Sequence, residues 1–220
     1  MATPGILMRM LYSDQPLSAS SLPLPKVCSG IETIYKLKAG DKLDPSLNTV
    51  YFLNDIKPLI TSSALYDEDV TANGSNSTSI SWVICAFING RDKTTPPGST
   101  YITPHVPVND PIPESVVIVN GSTPRGDKEQ DYHAWYDHEH GDKLRLVPGW
   151  NCARRYSLVK VYGSVDTASF YGINFYDEVN GLGGPEWTAG VTEWTMRIRS
   201  NAAKPNIRRQ WTFVAVEKPQ

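Results

Sequence analysis

The sequence predicts an α+β protein made of two ferredoxin-like β-α-β-β-α-β repeats within one chain of 220 residues. Three observations carry that expectation. Short runs of β-branched and aromatic residues recur in both halves at comparable spacing. Stretches with helical apolar spacing fall between such runs, most clearly in the second half. Between the halves, residues 89–114 hold six of the seventeen prolines, so neither a helix nor a central strand is expected there. The expected organisation is a degenerate first repeat over residues 1–95, a proline-rich linker over 96–114 and a second repeat over 115–220.

In the first half, strands are expected at residues 5–12, 30–38, 49–55 and 80–88. Residues 13–27 contain three prolines and read as a loop where a first helix would stand. A short second helix is expected within 54–66 despite Pro58. Residues 67–79, acidic and then rich in Gly, Asn, Ser and Thr, read as a solvent loop. In the second half, strands are expected at 115–120, 151–162, 169–178 and 210–216, with a helix at 130–147. A second helix at 185–201 follows from Trp187, Val191, Trp194 and Ile198 at helical spacing, with Pro185 near its start. The two halves overlay with residues 29–31 on 148–150 and 51–55 on 173–177. A four-stranded sheet with helices on one face leaves the other face bare, and apolar sheet faces must be covered. Two such sheets in one chain can cover each other, closing a barrel with a cavity between them.

Composition narrows the function. A net charge of −2 and an isoelectric point near 6.1 carry no basic footprint of a nucleic-acid binder. No apolar run approaches a membrane span, and the N-terminus lacks the pattern of a secretion signal, so a soluble cytoplasmic protein is expected. Cys28, Cys85 and Cys152 are widely spaced and fit neither a disulfide framework nor a zinc knuckle. Dinucleotide, phosphate-loop, nucleophile-elbow and zincin motifs are missing, so no cofactor and no metal are expected.

Chemistry-bearing residues cluster in the second half. His133, Tyr136, Asp137 and His140 stand at i, i+3, i+4 and i+7 and would share one helical face. An imidazole can exchange a proton near neutral pH, and a phenol one turn away can donate a hydrogen bond to a carbonyl or developing enolate. The bland reading makes His133 and His138 surface residues and His140 a packed structural histidine. Metal binding by His133, Asp137 and His140 lacks the usual further ligands. Arg154 and Arg155 point to opposite faces of their strand, and one of them must face the barrel interior, where it could hold a substrate carboxylate or phenolate. Arg155 is the substrate-binding candidate; an ion pair with Asp177 or Glu178 is its structural alternative. Asn174 and Tyr176 share a face on the next strand and are further pocket candidates. Trp135 and Trp150 are expected in the core or the pocket wall.

The stretch from Tyr132 to Tyr156 resembles the EthD-like members of the dimeric α+β barrel superfamily. It carries Trp135-Tyr136-Asp137-His138-Glu139-His140, then Pro148-Gly149-Trp150, then Arg154-Arg155-Tyr156. Residues 180–194 followed by Arg208-Arg209 are similar to fungal tandem-repeat members. The resemblance implies an intramolecular version of the dimeric barrel, with the Trp135–His140 helix beside a cavity. It implies His140 as general acid/base, Tyr136 as its partner and Asp137 as an orienting group. Such members act without cofactors on polyketide-type substrates. The expectation is therefore a cofactor-independent lyase or isomerase-type cyclase of fungal secondary metabolism, acting on an apolar polyketide- or terpenoid-derived intermediate. A cofactor-free oxygenase and a non-catalytic small-molecule-binding protein are the alternatives. A homodimer is left open. Two departures stand out: Gly141-Asp142 follow the histidine where apolar residues are usual, and residues 13–27 lack a matching histidine or tryptophan.

Overall fold

Eight antiparallel strands close into one barrel in the computed structural model, which describes residues 1–13, 29–75, 77–99 and 104–218. They are β1 (Gly5–Ser13), β2 (Ile31–Ala39), β3 (Leu47–Leu53), β4 (Thr78–Asp92), β5 (Val116–Ser122), β6 (Trp150–Tyr162), β7 (Phe170–Tyr176) and β8 (Ile207–Glu217). The order around the barrel is β1-β3-β2-β8-β5-β7-β6-β4, with β4 returning to β1. Within each half the order is the same, β4-β1-β3-β2 and β8-β5-β7-β6. The halves meet along β2–β8, where Tyr35 faces Val216, and along β4–β6, where Val83 faces Val161.

Strand alternation sorts the side chains. Ile6, Met8 and Met10 of β1 enter the interior, while Leu7 and Leu11 pack outward. The interior holds apolar groups from all eight strands, among them Tyr35, Phe52, Val83, Val117, Tyr156, Phe175, Trp211 and Phe213. These large side chains lie in the interior, where a cavity between the sheets is expected. One pocket opens at the end of the barrel beside Asp92, Ile112, Cys152 and Phe175, and another forms on the outer face of the second half.

Both halves turn into their second strand in the same way. Gly30 and Gly149 have φ of +88° and +77°, a backbone that favours glycine. Their carbonyls accept the N–H of Asn54 at 3.0 Å and of Asp177 at 2.7 Å, and a register shift follows in each strand. Ile31 then stands opposite Leu53, and Trp150 opposite Tyr176. The sequence overlay of 51–55 on 173–177 is thus one residue out of step. Leu53 and Tyr176 must both face outward, and a one-residue slip would reverse every face.

The outer face of the first half is covered by α1 (Lys57–Thr61) and α2 (Ala64–Asn73). The solvent loop expected over 67–79 is therefore a helix for most of its length. Its polar pattern hides a buried contact, because Asp69 faces the sheet. Asp69 accepts hydrogen bonds from Arg9 Nε and Nη2 at 2.7 Å each and from Trp82 Nε1 at 2.8 Å. The loop expected over 13–27 lies outside the described residues, apart from Ser13 at the end of β1.

The proline-rich segment also begins later than expected. Residues 89–92 continue β4, with Gly90 opposite Arg154 and Asp92 opposite Cys152, since no proline lies between Pro58 and Pro96. Farther on, the chain inserts His105 and Val106 against the core. The His105 carbonyl accepts from Arg154 Nε at 3.2 Å and from the Tyr156 hydroxyl at 3.3 Å. The Tyr35 hydroxyl donates to Asp110 at 2.9 Å.

The outer face of the second half carries α3 (Glu129–Trp135), a π-helical turn (Tyr136–His140), α4 (Gly141–Leu144), α5 (Pro185–Ala189) and α6 (Glu193–Ser200). The continuous helix expected at 130–147 ends at Leu144 and widens at its centre. The one expected at 185–201 is broken at Gly190–Thr192, where Thr192 Oγ1 caps α6 by accepting from the Thr195 N–H at 3.1 Å. Among the described residues, no helix is long and apolar enough to cross a membrane.

Candidate functional site

The π-helical turn decides where the histidine goes. Gly141 N–H donates to the Tyr136 carbonyl, five residues back, rather than to that of Asp137. The Asp137 carbonyl instead accepts from Arg91 Nη2 at 3.1 Å, while Arg91 Nη1 pairs with Asp142 at 2.6 Å. A Cβ at Gly141 would lie 2.6 Å from Arg91 Nη1, so the glycine admits the guanidinium. The helix therefore continues through Gly141, and Asp142 anchors it to β4. In a turn this wide, residues five apart lie one above the other. His140 accordingly stacks on Trp135, with ring centroids 4.0 Å apart and planes 17° apart. The common face expected for His133, Tyr136, Asp137 and His140 is split.

His133 and Asp137 stay together below the helix, held by Arg155. Arg155 Nη1 donates to Asp137 Oδ1 at 2.6 Å and Nη2 contacts His133 Nδ1 at 2.6 Å. The guanidinium carbon stands 4.3 Å from the centre of the Tyr136 ring and 5.5 Å from that of Tyr132. The expected alternation is thus resolved with Arg154 inside the barrel and Arg155 outside, under the helix. Arg155 pairs with Asp137 rather than with Asp177 or Glu178. Asp177 instead accepts from Asn151 at 2.8 Å. The interior Arg154 donates to the backbone carbonyls of Arg91, His105, Val106 and Ala153. It is occupied by the chain itself. Among the described residues, no group of three or more His, Cys, Asp or Glu side chains is placed to hold a metal ion.

Above this layer lies a pocket of about 260 Å³ between the sheet and the helices. Ile118 and Tyr176 form its floor; Leu144, Val147, Trp187 and Ile198 form apolar walls. Tyr136, Trp135 and His140 reach it from α3 and the π turn. Of the residues singled out in the sequence, those four aromatic groups (Trp135, Tyr136, His140 and Tyr176) line the pocket. Asp137, His133 and Arg155 form the ion-paired layer. Trp150 is buried in the packing beneath, where its Nε1 donates to Asn174 Oδ1 at 3.3 Å. Asn174 is itself buried and faces the Tyr136 hydroxyl.

Three polar atoms at this place complete no hydrogen bond of good geometry although they are shut off from solvent: Tyr136 Oη, Asn174 Nδ2 and His140 Nδ1. Buried polar atoms without partners are uncommon, and each calls for a reason. Asn174 is near enough to favour the ionised phenol, but burial dominates and raises the Tyr136 pKa above its ordinary value, with Arg155 opposing. Tyr136 is thus a neutral donor at pH 7. Burial, reinforced by the charges of Arg199, Arg155 and Arg91, lowers His140 to about 3. Its imidazole is neutral at pH 7, able to accept or donate at Nδ1 according to tautomer, but a weak proton reservoir. Burial and Arg155 likewise lower His133.

Sequence reasoning missed the pocket's rim. Lys143, Glu186, Thr195, Arg199 and Arg208 all line it. Trp187 was visible at helical spacing and Arg208 as half of an arginine pair, yet neither pattern says which way the side chain points.

No family model and no curated protein matches this sequence. Solved structures do. An anthrone oxidase-like protein superposes with a TM-score of 0.64 at 11% identity, covering 98% of this chain and 93% of its own. A protein named "Putative monooxygenase" from Fusobacterium nucleatum gives 0.54 at 8% identity, covering 99% and 95%. Another of that name from Lactobacillus acidophilus gives 0.52 at 10%, covering 98% and 96%. At these identities the likeness is one of fold. The chain shares the fold of these structures, a mixed α+β architecture whose barrel is closed here by eight strands of a single chain.

Proposed function

We propose that this protein is a cofactor-independent enzyme that oxidises or rearranges a small hydroxyaromatic, polyketide-type intermediate in the pocket between α3–α6 and the outer sheet face. The observation that carries the reading is that Tyr136 and His140 line the apolar body of the cavity while Tyr136 Oη and His140 Nδ1, both buried, complete no hydrogen bond of good geometry, with Asn174 behind the phenol. A hydroxyl or carbonyl of a planar substrate would complete both. Tyr136 would then donate to an oxygen that gains negative charge, as preorganised donors do in a dry site. His140 would accept from a substrate hydroxyl. Its low basicity suits a neutral hydrogen-bonding role better than the general acid/base role that the EthD-like resemblance implies.

The cofactor-free oxygenase is therefore the preferred reading. The names of the structural neighbours, anthrone oxidase-like and monooxygenase, lend it support. The lyase or cyclase of fungal secondary metabolism is the second reading, favoured by the Tyr136 donor, which would equally stabilise an enolate. The tandem ferredoxin-like repeat, supported by the matching strand orders of the two halves, and a cytoplasmic location belong to the same proposal.

Oxygen uptake with easily oxidised hydroxyaromatics tests it. Consumption of O₂ is expected without added metal or flavin, and it should survive chelation and dialysis. Tyr136→Phe and His140→Ala should each lower turnover, His140→Ala by about 10²–10⁴-fold if proton transfer passes through it and by less if it only accepts a hydrogen bond. Turnover unchanged under argon would replace the oxygenase by the lyase or cyclase. Stoichiometric metal or flavin whose removal abolishes activity would overturn both.

A further inference from the structure

The rim of the pocket is cationic, and its cations are unspent. Arg199, on the last turn of α6, and Arg208, at the start of β8, both line the cavity, as does Lys143 from α4. One carboxylate, Glu186, lines it as well. Among the described residues neither Arg199 nor Arg208 forms an ion pair, whereas Arg9, Arg91, Arg155, Arg197 and Arg209 each do. Both arginines act on the site electrostatically: Arg199 is the largest charge effect on His140, and Arg208 lowers the pKa of Tyr176 against the effect of burial. Asn206 joins them from the α6–β8 connection. The pocket thus has a cationic mouth, an apolar aromatic body and a neutral hydrogen-bonding end at Tyr136 and His140.

We propose that the substrate is an aromatic carboxylic acid, its carboxylate held by Arg199 and Arg208 while its hydroxyl or carbonyl meets Tyr136 and His140. This rests on the reading of the pocket as the substrate site. Guanidinium groups match carboxylates in planar, two-point geometry, and a substrate anchored at the rim presents its ring to the buried end in one orientation. A neutral terpenoid would leave both arginines without a partner. The carboxylate-holding role expected of Arg155 passes to residues on another helix and strand.

Calorimetric titration with two probes tests the inference: 6-hydroxy-2-naphthoate, ionised at pH 7 with its hydroxyl at the far end of the rings, and neutral 2-naphthol of the same ring system. The acid is expected to bind about ten- to a hundredfold more tightly at low ionic strength, and the preference should shrink with added salt. The double variant Arg199→Met/Arg208→Met should bind the two probes equally, the loss falling on 6-hydroxy-2-naphthoate. Both side chains are exposed, so the variant should fold, which circular dichroism and melting would verify. Equal binding of both probes to the wild type, or a preference that survives the double variant, overturns the carboxylate proposal and leaves the pocket reading intact. Silence with both probes overturns the two together.

Discussion

An arginine rises from the sheet to a helix carboxylate in each half of the barrel, and the surroundings of the two pairs differ. In the first half, Arg9 and Asp69 are almost wholly buried, at 1% and 0% side-chain exposure, and Trp82 takes up a further lone pair. Leu7, Tyr51, Ile56, Leu59 and Ile84 pack the rest of that outer face. In the second half, Arg155 is buried at 2% but Asp137 is 31% exposed. Above it the π turn and the break between α5 and α6 hold the helices off the sheet, leaving the pocket. The ion pair is common scaffolding. The space comes from two irregularities in the helices of one half, and the regular helix α2 leaves none of that kind beside Asp69.

The comparison can be broken most directly at the carboxylates. Asp69→Asn leaves Arg9 charged and buried without its counter-ion and should cost about 3–5 kcal/mol of stability in urea titrations. Asp137→Asn, with a partly solvated carboxylate, should cost about 1 kcal/mol or less, with the larger effect on catalysis. Equal losses would show that the two pairs play the same part.

Acid provides a second lever. His105 is lowered to about 4, first by burial and then by Arg154, and His140 to about 3. The unfolded chain takes up protons near pH 6.5 that these folded imidazoles refuse. Stability is therefore full above pH 6.5 and falls as pH drops towards 4, by about 1.4 kcal/mol per unit for each histidine. Urea midpoints measured from pH 7 to 4.5 should show it. His140→Phe, which keeps a ring on Trp135, should remove at most about half of the slope, since His133 is lowered as well.

A smaller effect is expected at the pocket floor. A Cβ at Gly172 would fall inside contact distance of the Tyr136 hydroxyl. Gly172→Ala should cost about 1–3 kcal/mol by overpacking, and Tyr136→Phe in the same chain should recover part of it. Additive losses would mean that the tyrosine can simply move aside. The smallest change belongs to Asp131, which ties α3 to Arg197 and Trp194 of α6 at the surface, with N···O distances of 2.9 to 3.1 Å. Asp131→Asn should shift stability by less than about 1 kcal/mol in the same titrations.

All eight strands were legible because their apolar and β-branched runs state their own period, and only their ends moved. Helix α2 was not legible, since its inward-facing group is Asp69, and a carboxylate facing a buried arginine looks like a solvent loop. The face shared by His133, Tyr136, Asp137 and His140 was read with α-helical spacing. Nothing in the local pattern announces a π turn; its cause includes Arg91, some fifty residues earlier and on another strand. The direction of Arg155 was undecidable for a related reason. Alternation fixes that two neighbours point apart, and only the register shift after Trp150 fixes which way.

The seam between β2 and β8 joins residues 31–39 to residues 207–217. During synthesis, β2 leaves the ribosome some 170 residues before the strand that covers its free edge. At about 5–20 residues per second, that edge stays open for roughly ten to thirty seconds. A nascent chain in that interval presents unpaired backbone and an uncovered apolar sheet face to its neighbours. Holding by chaperones, rather than the final stability of the barrel, should then govern how much protein reaches the closed state in a cell.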